Sequence, residues 1–575
     1  MLPNVSLFFA ALLFSSCATT TTEQSPTVTV EEASATQIAI DSSVDLREAY
    51  DVLRYELDLH LNPDEKQLSG TGTTHARVTA EFIDVFQIDL RNELTVSSVK
   101  FNGADIEFAH TNDSVLCQLP GRVPQGEEIA IEVAYSGHPT AKDNFSGFHW
   151  AETADGSPWI NTSCQGPGAH SWWPCKASFY HPEDKPESIS IDITLPKPLY
   201  AVSNGRLEGI DDLGATRTFH WQHDYPLETY AVTLNAAPYV VVETELELDG
   251  HDDPLPFSYY VLPENAEKAA IQFQQVPELL KIYGDAFGPF PFEKSKFGLV
   301  ETNFWGMEHS TAIAYGSSYP AWCEATGETD RYARRNKFFD YILIHEVAHE
   351  WWGNAVSATE WGHFWIHEGF GTYAEGVYVE RTAGRERADE YFVGQQNSAM
   401  RSGVDSRLYR GEDVTSGEAY AGLIYSKGAS VLNTMRVYMN DDDAWWKALR
   451  EFNLRFRYGN ASSDDFRDVL EEISGRSWEA VFASWVYGEG YPMVTGTVQG
   501  TPTSIEVSLE NTGSGQTSFE VPMDLEWSEL GQPRRTRVMV RPGEFAASIS
   551  CESEPSDVRV MNFNRVLGKH EIVVL

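Results

Sequence analysis

Two histidines four residues apart flank a glutamate in the run His345-Glu346-Val347-Ala348-His349. Phe338, Tyr341, Ile342, Ala348 and Trp352 recur with them at helical spacing, which predicts a long helix from about Arg331 to Gly353. Residues i and i+4 share one face of a helix, so both imidazoles can reach one ion. Neutral imidazole is a good zinc donor, and two from one helix make half of a tetrahedral site. Glu346 points slightly off that face, where it can sit beside a water on the ion rather than on the ion itself. Zinc lowers the pKa of such a water toward about 7, and a carboxylate beside it can take the proton as hydroxide attacks a carbonyl. The bland reading is a core helix that happens to carry two histidines, but chance produces this pentapeptide only rarely in a chain of this length. A third donor is Glu368, in Trp365-Ile366-His367-Glu368-Gly369-Phe370, with eighteen residues between it and His349. That gap lets the chain turn back and lay a second helix against the first. His367, beside it, is a rival ligand.

The elements that must position these residues follow from patterning. With 575 residues the chain is too long for one core and predicts three or four domains. From about Arg47 to His251 the period is two. Tyr55, Leu57, Leu59 and Leu61 alternate with Glu56, Asp58 and His60, and similar runs recur at 129–133, 189–193 and 230–234. Asn-Gly pairs at 102–103 and 204–205 mark turns. This predicts an all-β domain over 46–250. From about Asp253 the period lengthens, with an amphipathic helix expected over 266–283, a strand over 297–301, and later helices beginning near Asp464 after a cap at Ser462 or Ser463 and running over 477–487. A mainly helical domain over 251–495 is the reading. After Gly490-Tyr491-Pro492 strands return, with Ile505, Val507 and Leu509 alternating and 537–540 another candidate, enough for one small β-sandwich over 496–575.

His345-Glu346-x-x-His349-x18-Glu368 resembles the signature of the zinc aminopeptidase family of aminopeptidase N and leukotriene hydrolase. His349-Glu350-Trp351-Trp352-Gly353-Asn354 is similar to the family's His-Gln-Trp-Phe-Gly-Asn. Endopeptidases of the thermolysin type have the same two-histidine, one-glutamate plan, so a second motif must choose between cutting chain ends and chain middles. The family's Gly-Ala-Met-Glu-Asn corresponds here to Trp305-Gly306-Met307-Glu308-His309, with Trp305 for the first Gly and His309 for the last Asn. The resemblance implies that Glu308 holds the free amino group of a substrate through charge-assisted hydrogen bonds, with Gly306 and Met307 lining the subsite. Tyr425-Ser426-Lys427-Gly428 looks like the family's Tyr-x-Lys-Gly, whose tyrosine donates to the oxyanion, with Tyr420 assisting as in the hydrolase branch. Cys164-Gln165-Gly166-Pro167, followed by Trp172-Trp173-Pro174-Cys175, resembles the segment that places a Gln or Glu at the amine pocket, here Gln165.

The fold this implies is multidomain α+β: an N-terminal saddle-shaped β domain, a thermolysin-like, mainly helical catalytic domain and a C-terminal β-sandwich, without the helical solenoid that closes the chamber in many relatives. A more open site, or closure by a partner chain, is then expected. One Zn2+ per chain is implied, with peptides as substrates, Glu346 as base and Tyr425 as oxyanion donor. An epoxide hydrolase and a non-catalytic peptide binder are the readings from other classes. The second is disfavoured because every ligand and the base are present.

Composition bounds the partners. Asp plus Glu number 85 against 42 Lys plus Arg, a net charge of −43. Such a surface repels phosphate backbones, so nucleic acid is not an expected partner. The apolar run over 5–14, ending Phe14-Ser15-Ser16-Cys17, has the length of a signal-peptide core and resembles a bacterial lipobox. Export is expected, to the periplasm or to an outer-membrane anchor through lipid on Cys17. Residues 18–45, rich in Thr, Ser, Glu and Ala, read as a disordered tether. Cys117, Cys164, Cys175, Cys323 and Cys551 form no framework, although Cys164 and Cys175 could pair in an oxidising compartment.

Overall fold

The structure, a computed structural model, describes residues 45–575 apart from 143–146, 166–167, 179, 317, 328–338, 402–406, 413 and 421–422. The expected leader ending at Cys17 and residues 18–44 of the expected tether lie outside the described residues, while Asp45, the tether's last residue, caps the turn Leu46–Ala49.

Alternation along Tyr50–Asn62 buries Tyr55, Leu57, Leu59 and Leu61 and exposes Glu56, Asp58 and His60, as a strand with one wet face requires. It sits in an eight-stranded sheet ordered Arg206–Asp212, Thr216–His223, Ser188–Pro196, Tyr50–Asn62, Gln67–Val78, Glu128–Gly137, Leu94–Phe101, Ala104–Asp105. Its pairing with Ser188–Pro196 is parallel, and the other pairings are antiparallel. Asn102 and Gly103 both have positive φ, 47° and 84°, which closes the hairpin from Leu94–Phe101 to Ala104–Asp105. A four-stranded sheet of Tyr200–Ser203, Leu234–Ala237, Pro158–Ser163 and Gly147–Glu152 carries the β-region residues that reach the site. The strand expected over 230–234 begins only at Leu234; Thr229–Ala231 is a 3-10 turn. The Thr229 hydroxyl accepts the amide of Ser178 at 2.9 Å, and the Ser178 hydroxyl accepts that of Tyr230 at 3.2 Å, so this backbone is tied to a loop and not to a ladder.

Next comes a five-stranded sheet ordered Val240–Leu246, Leu255–Val261, Phe297–Glu301, Ile313–Tyr315, Gly306–Met307. Its first strand, assigned from sequence to the preceding domain, pairs along its whole length with Leu255–Val261. The helix expected over 266–283 is two helices, Ala266–Gln272 and Val276–Phe287, joined by a 3-10 turn. Pro277 explains the break: its ring clashes with the carbonyl four residues back and it has no N–H to give. Of the helix expected over 331–353, residues 331–338 lie outside the described residues, and the described part is helical over Tyr341–Ala348. Asp340 starts it as N-cap, in extended geometry, and its Oδ2 is fixed by Tyr315 at 2.6 Å and Gln272 at 2.7 Å. The helix Trp365–Ala383 is buried along all of 365–379 and packs on Leu423–Met439, also buried almost throughout, with Arg385–Arg401 and Asp442–Phe456 outside them. Ser462 caps Ser463–Ser474 in a capping box with Asp465, as read from sequence, and the helix expected over 477–487 spans Glu479–Trp485.

The C-terminal strands form two sheets, one of four strands including Ser504–Gly513 and one of three including Gln532–Val540. The five described cysteines are thiols, and Cys164 and Cys175 are not bridged. Among the described residues no helix is long and apolar enough to cross a membrane.

Candidate functional site

His345 leaves the last turn of Tyr341–Ala348, His349 caps that helix, and Glu368 lies in the first turn of Trp365–Ala383. Their donor atoms converge. His345 Nε2 lies 3.1 Å from His349 Nε2 and 3.2 Å from Glu368 Oε2, and His349 Nε2 lies 3.6 Å from the same oxygen. Outward partners set the tautomers. His349 Nδ1 faces the carbonyl of Trp352 at 2.8 Å, and His345 Nδ1 faces Glu375 Oε1 at 2.9 Å. With each Nδ1 donating outward, both Nε2 atoms can act as ligands, and a cation held between them and Glu368 Oε2 satisfies all three donors. The charges agree: the cavity of about 240 Å³ is lined by Glu308, Glu346, Glu368 and Glu375, and among the described residues no Lys or Arg lines it. Two imidazoles and one carboxylate with an open pole are a catalytic zinc donor set.

His367, the rival ligand, is turned away. Its Nε2 accepts the amide of Ala358 at 2.9 Å, so its Nδ1 carries the proton, toward the Tyr230 hydroxyl at 3.3 Å. Tyr230 in turn donates to Glu308 Oε1 at 3.1 Å. Gln165 Nε2 donates to the same oxygen at 2.6 Å and to Glu368 Oε1 at 3.2 Å. Glu308 is buried, and burial raises its carboxyl, with Glu368 adding to this and His349 opposing it. The segment that carries it is held from the tail of the zinc motif: Asn354 Nδ2 donates to the carbonyl of Glu308 at 3.0 Å, and Glu350 Oε1 accepts the amide of Thr311 at 2.7 Å. The two motifs are thus one hydrogen-bonded unit.

Glu346 is buried beside the donors. Carboxylate oxygens of Glu308 and Glu346 and a ring nitrogen of His349 lie within 4.8 Å of one another. Burial raises the Glu346 carboxyl, and His345 and His349 oppose the shift. Gly306 lies against it: a Cβ there would stand 2.4 Å from Glu346 Oε1. Met307 is buried and pairs with Ala314, while Trp305 lies half-exposed at the cavity mouth. His309 is buried and held neutral by desolvation. Tyr425 lines the cavity, its ring 5.9 Å from that of His345. The Tyr420 hydroxyl donates to Glu368 Oε1 at 3.1 Å, which sets it beside the metal donors.

Two glycines let the helices meet here. A Cβ on Gly428 would lie 2.6 Å from the Cα of Gly369, so Leu423–Met439 and Trp365–Ala383 touch backbone to backbone. Sequence reasoning missed Tyr230, Glu375 and Tyr391. Glu375 holds His345 and accepts from the Tyr391 hydroxyl at 2.9 Å, and Gln395 Nε2 donates to Tyr391 at 2.9 Å. Glu375 had a signal: it follows Glu368 by seven residues, two helical turns on the same face. Tyr230 and Tyr391 had none.

Comparison with known proteins agrees with this geometry. The family model "Peptidase M1 N-terminal domain" matches residues 51–231, and "Peptidase family M1 domain" matches 271–485. Aminopeptidase M1-C of Oryza sativa subsp. japonica is 23% identical over 523 residues, covering 87% of this chain and 57% of that protein. Aminopeptidase N of Streptomyces lividans is 24% identical over 467 residues, covering 76% and 50%. The chain spans about half the length of the curated relatives it matches. The M1 zinc metallopeptidase of Deinococcus radiodurans has a similar fold, with a TM-score of 0.61 and 22% identity over 76% of this chain and 93% of that one. With both of the family's domains in order along the chain and a two-histidine, one-glutamate zinc site between its helices, the protein belongs to peptidase family M1.

Proposed function

We propose that the protein is a zinc aminopeptidase that hydrolyses the first peptide bond of chains with a free amino terminus. The observation that carries this is the buried Glu308 carboxylate, bonded to Gln165 and Tyr230 beside the metal donors. Gln165 spends its amide nitrogen on Glu308 and Glu368, which leaves its amide oxygen for an ammonium; Glu308 Oε2 is a second acceptor. An ammonium seated there fixes how far a peptide can enter, so only its first carbonyl reaches the metal. Gly306 and Met307 form the short strand that flanks that position.

Zinc, when bound, supplies a Lewis acid that polarises the carbonyl and acidifies water. Glu346 takes the proton of the attacking water and returns it to the leaving amine. Tyr425 donates its hydroxyl hydrogen to the oxygen that becomes negative. Tyr420 and Gln165 keep Glu368 Oε1 occupied, which leaves Oε2 directed at the histidines. A variant of the Deinococcus radiodurans enzyme has been solved with a Tyr-Ser-Ala substrate, which supports a peptide as ligand.

The test is cleavage of aminoacyl fluorogenic amides and of the same compounds with a blocked amino group, each with and without chelator. Turnover of free-amine substrates alone, lost with chelator and restored by zinc, is expected. Equal turnover of blocked substrates would make the protein an endopeptidase. Export with a lipid on Cys17 is part of the same reading, supported by the apolar run before it. Release of membrane-bound activity by Cys17→Ala checks it, and unchanged fractionation refutes it.

A further inference from the structure

A second cavity, of about 440 Å³, opens where the far ends of the site helices meet the C-terminal strands. Arg385, Arg436, Arg535, Arg537 and Arg565 line it. The chain has 85 acidic residues against 42 basic ones, so five guanidinium groups around one cavity run against its composition. Four carboxylates answer them. Arg436 grips Glu380 with both Nη atoms, at 2.7 and 3.1 Å, and Asp442 at 2.8 and 2.6 Å. Arg385 reaches Asp389 at 3.1 Å and Glu380 at 2.9 Å, and Arg565 reaches Asp389 at 2.8 and 2.9 Å. Arg535 and Arg537 both pair with Asp524. Asp441 also lines the cavity, but its carboxylate accepts the amide of Ala444 at 3.0 Å as a helix cap.

These pairs alone would make a latch between helices and strands. A latch does not explain the donors left over. Each guanidinium has five N–H groups. Among the described residues Arg385 Nη2, Arg565 Nη1, and Arg535 Nε and Nη1 have no acceptor. Their side chains line this one cavity from three separate elements, the helix Arg385–Arg401, the turn Phe563–Arg565 and the strand Gln532–Val540.

We propose that this cavity binds a phosphate group, as the free ion or as the monoester of a small organic molecule. A tetrahedral oxyanion presents oxygens in several directions, which suits donors from three elements, whereas a carboxylate offers two in one plane. The volume leaves room for an organic part beside the phosphate.

The test is calorimetric titration of the whole protein with inorganic phosphate and with glycerol phosphate, against sodium chloride at matched ionic strength. Saturable binding is expected for at least one phosphate. Arg385→Gln and Arg535→Gln should each weaken it about tenfold, the loss of one charge-assisted contact. Arg534→Gln removes the same charge from the neighbouring residue, which pairs with Glu529 and does not line the cavity, and should leave binding unchanged. The Arg535 side chain is 56% exposed, so its variant should fold as the wild type does, and a melting curve checks this. Tighter binding of the ester would assign the remaining volume to its organic part, and equal binding would assign the free ion. No saturable heat beyond the chloride control, or equal weakening by Arg534→Gln, would overturn the proposal.

Discussion

Gly428→Ala adds one methyl at the place where two helices touch. The new Cβ would lie 2.6 Å from the Cα of Gly369, whereas ordinary contact begins at 3.4 Å, so the helices must part by the difference, 0.8 Å. Neither side of the contact is a flexible side chain, and no rotamer change relieves it. Overpacking of this kind costs about 1–3 kcal/mol of stability. The functional cost is separate. Tyr425 is on one helix and Glu368 on the other, so the shift moves the proposed oxyanion donor away from the metal. Misplacement by about 1 Å costs on the order of 10² in rate, so kcat should fall roughly 50-fold with KM little changed. Gly394→Ala is the matched control: it also lies in a helix, but a Cβ there meets nothing within 4 Å, and the change should stabilise by about 0.5–1 kcal/mol. Thermal melting and steady-state kinetics on an aminoacyl amide, run on both variants, decide the matter. Wild-type melting and wild-type kcat in Gly428→Ala would refute the claim that this contact sets the spacing of Tyr425 and Glu368.

Glu308→Gln keeps the volume of the side chain and removes its charge. It should lower kcat/KM for free-amine substrates about 10- to 100-fold, and an equal loss on blocked substrates would contradict its role. Tyr425→Phe should cost about 10²–10³ in kcat with zinc content unchanged by elemental analysis. Glu375→Gln leaves His345 without its charged anchor and should weaken zinc binding about 10- to 100-fold in a chelator competition. His223 is buried, and desolvation, helped by Lys296 and opposed by Asp224, pushes its pKa down to about 3 from 6.5. The unfolded chain therefore binds the proton first, so this histidine's contribution to stability is complete above pH 6.5 and is lost as pH falls toward 3. The loss is about 1.4 kcal/mol per pH unit, and His223→Phe, whose ring fits between Tyr225 and Phe292, should remove it from the pH dependence of denaturant melts.

The metal group was legible because its information is local: helical spacing puts His345 and His349 on one face, and Glu368 follows at a fixed distance; Glu375, two turns further on, was missed. Tyr55 to Leu61 were legible for the same reason, since a half-buried strand writes its period into the chain. The start of the His345 helix was not. Apolar spacing extended it back to Arg331, but the cap belongs to Asp340, whose second oxygen is fixed by Tyr315 and Gln272, both distant in sequence. Pro277 announced a break that the amphipathic pattern across it concealed. Tyr230 lay in a run that alternates like a strand, and only the approach of Ser178 and Glu308 gives it another use. Tyr420 was legible as the tyrosine that assists in the hydrolase branch, but its bond to Glu368 depends on a helix pairing that no local pattern records.

The proposed amine pocket is assembled across a seam in the chain. The metal donors, Glu346 and Tyr425 all lie between residues 345 and 425, while Gln165 and Tyr230 come from the β-rich region that precedes them. On the proposed reading the choice of bond depends on both stretches, since Glu308 belongs to the later one and its partners Gln165 and Tyr230 to the earlier. Gln165 also donates to Glu368, so a change in the earlier stretch reaches the metal donors as well as the pocket. If the proposed reading holds, restriction to chain ends is a property of this junction and not of either stretch alone.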